Sequence, residues 1–214
     1  MSKASITRLL LVLILVAEPA ELEAKVASIE FSELAKEADL IVLGMVKDVT
    51  TIQGAKLARV KVLATYKGEK LEELFFLAQP TWTCDISEAQ RGETALLFLS
   101  ASKDIPRQGM ERMLFRSLPT RKKLENGLGP SLFVISDSGR GRMPLRMIEG
   151  QQYATLWLAD VVLPPSVHTV AGPEPKYSFI VSARLADLIM LISFSKEARG
   201  PAEKQGELRM VKSR

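Results

Sequence analysis

The sequence predicts a mainly β protein with minor α content, built on a small closed barrel with an added β-hairpin and a C-terminal amphipathic helix. Three observations carry this. Asp39–Val49 and Thr94–Leu99 are runs of branched aliphatic residues with little polar alternation, the pattern of strands buried on both sides. Arg59–Tyr66 alternates instead, with Val60, Val62, Ala64 and Tyr66 on one face, and Leu71–Ala78 reads as a third strand with Leu74, Phe76 and Ala78 on one face. Gly44 interrupts the first run, and a glycine inside a strand marks the bulge or bend that a coiling barrel strand needs.

The elements follow in order. Lys3 and Arg8 precede the apolar run Leu9–Ala17, and Ala24 offers a small residue for cleavage, so residues 1–24 read as a secretory signal peptide. The run is shorter than the ~20 apolar residues a spanning helix needs, and no second long run follows it. Phe31–Ala38 reads as a short helix with Ser32 as its cap and Phe31, Leu34 and Ala35 on one face. The chain reverses at Gln53-Gly54 and again at Lys67-Gly68. Ser131–Ser136 recovers strand character, Asp137-Ser138-Gly139 makes a turn, and Arg142–Ile148 is expected to return as its hairpin partner. Tyr153–Leu163 fits strand or helix, and Val167–Lys176 reads as a proline-containing loop. Ser182 looks like an N-cap, and Leu185, Leu188, Ile189 and Ile192 give helical spacing over Ala183–Phe194. One domain over 25–196 is expected, with a barrel core at about 31–100, an extension at 101–196, and a charged tail at 197–214.

Composition excludes several function classes. The 214 residues carry a net charge of +4 and 47% hydrophobic residues, which is globular rather than disordered. The positive charge gathers in two segments, Arg107–Lys123 and Lys196–Arg214, which read as solvated loops or as contacts to anionic lipid or polymer. Cys84 is the only cysteine and His168 the only histidine, so neither an intrachain disulfide nor a zinc site of clustered histidine and cysteine is expected. No metal, cofactor or nucleic acid is expected, and the aromatic content of 6% is low for a base-stacking platform.

The stretch Phe31–Val46, with Ala38-Asp39, Gly44 and Val46 at their spacing, resembles the opening of the tissue inhibitor of metalloproteinases (netrin-like) superfamily. The resemblance continues through Arg59–Tyr66 into Lys67-Gly68, to Cys84 after a proline-bearing loop, and to Gly92-Glu93 before Thr94–Leu99. It covers Phe31–Leu99, and the nearest look-alikes are exported bacterial proteins of unknown role. It implies an OB-like five-stranded barrel. The zinc-chelating N-terminal cysteine of the animal inhibitors has no counterpart near Lys25, and Cys84 stands where one disulfide half would be, without its partner.

Four residues are candidates for binding. Trp82 is an anchor or a plug for one barrel end. Cys84 is a thiol, an interchain link or a relic of the family pattern. Arg140 and Arg142, around Gly141, suit an anion or a solvated turn. No spacing of carboxylates demands acid–base catalysis. The expected role is a non-enzymatic binding module, periplasmic or extracellular, whose partner is a protein or another envelope component. The alternatives are a protease inhibitor acting through the loop near Trp82, and an envelope hydrolase whose Asp85, Glu88, Glu93, His168 and Arg142 converge in space.

Overall fold

A computed structural model describes residues 28–52, 55–78, 88–101, 132–137, 139–156, 161–173 and 180–197. The expected signal, Gln53-Gly54, the segment holding Trp82 and Cys84, Met110–Phe115 within the middle basic segment, and the tail after Glu197 lie outside them.

Five strands close into an OB-like barrel. They are β2 (Leu40–Ile52), β3 (Ala55–Lys67), β4 (Glu73–Leu77), β5 (Thr94–Ala101) and β6 (Leu132–Ile135). The ring runs β5-β2-β3-β4-β6 and returns to β5. Only the β4–β6 seam in that ring is parallel, with Phe75 beside Leu132 and Phe76 beside Phe133. The barrel interior holds Val42, Val46, Val60, Leu74, Phe76, Leu97 and Leu99. The expected face of Leu74, Phe76 and Ala78 is this inner face, and all three are fully buried.

β5 is apolar on both sides for a reason. Ala95, Leu97 and Leu99 point into the barrel, while Leu96 and Phe98 point out into a second core. That outer core lies under two helices, α1 (Phe31–Glu37) and α2 (Leu185–Glu197). Phe31 meets Phe98 edge to face at 5.4 Å. The cap of α1 is Glu30, with no side-chain hydrogen bond, and Ser32 sits inside the helix. The helix is held instead at its C-terminal end. The Lys67 ammonium donates to the carbonyls of Ala35 and Lys36, each at 2.8 Å, and to that of Ala38. A cation on the last carbonyls satisfies acceptors the helix itself leaves open.

β2 and β3 are long and coil through irregular pairing. Leu43 faces Ala64 and Gly44 faces Val62, so Leu63 is an extra residue; Tyr66 is extra in the same way between Thr65 and Lys67. Gly44 fits the bend as expected, since a Cβ there would stand 2.4 Å from Val60 Cγ1. The two bulges correct the expected single face of β3. Val60 and Val62 serve the barrel interior, but Tyr66 packs in the outer core. Burial there raises the Tyr66 pKa above its ordinary value.

The extension continues the barrel's own sheet. β7 (Arg142–Ile148) pairs with β5, then β8 (Gln151–Leu156), β11 (Val181–Arg184) and β10 (Thr169–Ala171) follow outward. β1 (Ile29–Glu30) pairs separately with β9 (Val161–Val162). The added hairpin is β7–β8, turning at Glu149-Gly150 with φ of 50° and 78°, the left-handed pair of a two-residue hairpin turn. The expected return of Arg142–Ile148 on residues 131–136 does not occur. Ile135 pairs with Leu99 and Arg142 with Leu97, so β6 and β7 run one after the other along the same edge of β5. Ser136 and Gly141 both stand opposite Phe98, which accepts from Ser136 N–H at 2.9 Å and donates to Gly141 O at 2.7 Å. Ser182 is no N-cap. It lies inside β11, fully buried, its hydroxyl 3.3 Å from that of Thr155, and the strand passes directly into α2. Part of the expected loop over Val167–Lys176 is strand β10.

α2 opens on an ion pair. Arg184 Nη2 donates to Asp187 Oδ1 at 2.7 Å, and His168 N–H to Oδ2 at 2.9 Å. The Arg184 bonds foremost, and that N–H, hold the Asp187 carboxyl below its ordinary pKa despite partial burial. A depressed folded pKa gives stability that is present above the unfolded value and lost as pH falls through the folded one. Wild type is therefore expected to lose stability on the acid side of about pH 4 more steeply than Asp187→Asn, as read by urea melts at stepped pH. Equal slopes would contradict the pairing.

Candidate functional site

A surface groove among the described residues begins at the Leu63 bulge. The second half of β3 leaves β4 behind, because β4 pairs only from Leu57 to Lys61. The connection after Gly68 swings back, and Val62 N–H reaches Glu72 O at 2.9 Å. Between them runs an open groove of about 490 Å3, lined by Lys61–Thr65 and Lys70–Glu72. Leu63 is 49% exposed there. A bulge re-aims the side chain it inserts, and such bulges recur beside binding sites. Lys61 and Lys70 line the groove with Leu71 and Glu72, so its wall mixes apolar surface with cations. The signal was present in the alternation of β3. On the face of Arg59, Lys61, Thr65 and Lys67, Leu63 is the one apolar member.

Arg140 and Arg142 are both buried and both meet carboxylates of the chain itself. Arg142 Nε donates to Glu93 Oε1 at 2.9 Å, and Nη2 to Oε2, a two-pronged pair with side chains 8% and 13% exposed. Arg140 Nη1 donates to Asp137 Oδ2 at 2.8 Å. The turn between them is packed rather than solvated: a Cβ on Gly141 would stand 2.7 Å from Phe98 O and 3.0 Å from Ser136 O. Chemically the cluster ties the start of β5 to the start of β7.

The remaining candidates stand apart. The feet of the segment carrying Trp82 and Cys84 are fixed at one barrel end. Ala78 N–H donates to Lys56 O at 2.8 Å, and Glu88 pairs with the Lys56 ammonium, which lowers the Glu88 pKa. His168 is exposed, its ring 6.0 Å from that of Tyr153. Glu93 and Arg142 are thus brought together, with Glu88 within electrostatic reach of the same Arg142, while His168 stands in a separate setting beside Tyr153 and Asp187. Among the described residues no group of three or more His, Cys, Asp or Glu stands in metal-binding reach, and no helix is long and apolar enough to cross a membrane.

The residues that carry the family resemblance have structural employment in this fold. Asp39 accepts Ala101 N–H at 2.8 Å, Lys67 holds α1, Glu93 holds Arg142, and Gly68, at φ +86°, packs against Asp39. Comparison with protein-family models and with curated proteins finds no match.

Proposed function

We propose that this chain is an exported, non-enzymatic binding module of the cell envelope, a netrin-like relative that receives its ligand along the β3 groove. The observation that carries this reading is Leu63, half exposed on a bulge within an open, cation-lined groove. A groove open along a strand suits an extended ligand better than an enclosed small molecule, which pockets bury almost completely. The signal-like residues 1–24 support export. The closed five-strand ring supports the OB-like barrel on which the netrin-like reading rests.

The test is capture of partners from the native envelope by the tagged mature protein, read by mass spectrometry. Wild type is expected to retain an envelope component, and Leu63→Asp to lose it by about tenfold or more, the effect of removing an interface anchor. Equal capture by both proteins would remove the groove from the reading. Capture of nothing, with turnover of a substrate by the purified protein, would overturn the binding role.

A further inference from the structure

β3 changes neighbours along its length. From Leu57 to Lys61 it lies between β2 and β4, and one further bond, Val62 N–H to Glu72 O at 2.9 Å, ends its contact with β4. From Leu63 to Tyr66 it is held by β2 alone. Among the described residues no backbone hydrogen bond reaches its other edge there. An open strand edge is a row of N–H and C=O groups ready for pairing. Lys70, Leu71 and Glu72 line the groove along this edge.

Backbone chemistry decides the class of ligand. A second extended polypeptide presents donors and acceptors at the same repeat of about 3.3 Å, so a strand laid along β3 satisfies the edge, and a sugar or nucleic acid does not. Four residues of edge span roughly 13 Å, room for a short strand. Charge narrows the choice. Lys61 and Lys70 are exposed on the groove wall, and neither forms an ion pair with a described residue. Glu72 is the one carboxylate among the lining residues. The wall therefore favours acidic side chains around an apolar one that meets Leu63. Bulges and lysines also guard edges against chance pairing. A leucine 49% exposed on the same edge works against that use.

We infer that the β3 edge beyond Val62 takes an extended, acidic segment of a partner protein as an added strand. The inference rests on the reading of the groove as the binding site and names the chemistry of its ligand.

The test uses the mature protein and a fluorescent peptide of alternating Glu and Val, read by anisotropy. Wild type is expected to bind it, and to bind a peptide of alternating Lys and Val about tenfold more weakly. The double variant K61E/K70E, changed only at exposed side chains, is expected to reverse that preference. Two further acidic peptides carry N-methyl groups on every Glu or on every Val, which blocks one edge of the strand or the other. One of them is expected to lose about tenfold or more in affinity and the other to bind as the parent does, since strand addition uses the N–H groups of a single edge. These peptides decide the matter even if K61E/K70E melts early. Equal binding by the parent and both methylated peptides would overturn the inference, and so would binding by none of them. A dimer that Leu63→Asp converts to monomer, with no peptide bound, would overturn it too and assign the edge to a second copy. Envelope capture that depends on Leu63 without any peptide binding would sink the added strand while leaving the groove as the binding site.

Discussion

Arg142→Ala is expected to destabilise the protein by about 3 kcal/mol, because it strands the Glu93 carboxylate in a site built around the guanidinium. Both prongs of the pair are lost, and the Glu93 side chain is only 13% exposed, so water replaces them poorly. The pair also joins two parts of the fold, the entry to β5 and the first residue of β7. Chemical denaturation reads the effect as a lower midpoint at similar slope. Arg142→Lys is expected to recover only part of the loss, since an ammonium cannot reproduce the planar fork. The double variant Glu93→Leu/Arg142→Leu is expected to be more stable than Arg142→Ala, as removing both charges leaves none uncompensated. A loss under about 1 kcal/mol for Arg142→Ala would mean the pair behaves as a surface bridge.

Gly68→Ala carries the second large effect. The residue has φ +86°, a conformation that costs an L side chain about 1–3 kcal/mol. Its Cβ would stand 2.6 Å from Asp39 O and 3.1 Å from Leu40 Cδ1. Asp39 cannot yield freely: its N–H donates to Leu99 O at 2.9 Å and its carboxylate accepts from Ala101 N–H. The clash thus falls on the start of the β2–β5 ladder. Gly150→Ala separates the two causes, since φ there is +78° with nothing within 4 Å of the added carbon. Gly150→Ala is expected to cost about 1 kcal/mol and Gly68→Ala about 3 kcal/mol or more, both by thermal or urea melts. Equal losses would show that the Asp39 contact relaxes without cost.

The barrel strands were legible because burial writes itself into residue type. β5 must be apolar on both faces, and β4 is apolar on both too, with Leu74 and Phe76 in the barrel interior and Leu77 packed with Leu57 and Leu132 in a separate cluster. The edge order was harder to read. Asp137 and Gly139 supply sound turn chemistry, but a local turn does not say which strand the chain pairs with next. Here the partner before and after the turn is the same strand, β5, and the hairpin forms one element later at Glu149-Gly150. Ser182 misled for a similar reason. A serine ahead of a helical pattern is the usual cap, but this one belongs to a ladder that pairs it with Thr155. The face of Tyr66 turned over at bulges that leave no mark in the spacing.

The candidate site was legible only in part. Arg140 and Arg142 were visible as a charged pair around a glycine, but not their carboxylates, of which Glu93 lies far away in sequence. Leu63 carried a signal, an apolar residue in a cationic row. The apolar outward face of α2 was hidden by the periodicity of its buried face, since Met190 and Phe194 lie off the row of Leu185, Leu188, Ile189 and Ile192 that defines it.

The claim on which the rest depends is that the sheet closes on itself through β4 and β6. Backbone NOEs from a labelled sample test it directly. Contacts joining residues 75–76 to 132–133 are expected together with those joining 99–101 to 133–135. The second set without the first would mean an open layer, with no closed barrel and no fixed groove on β3.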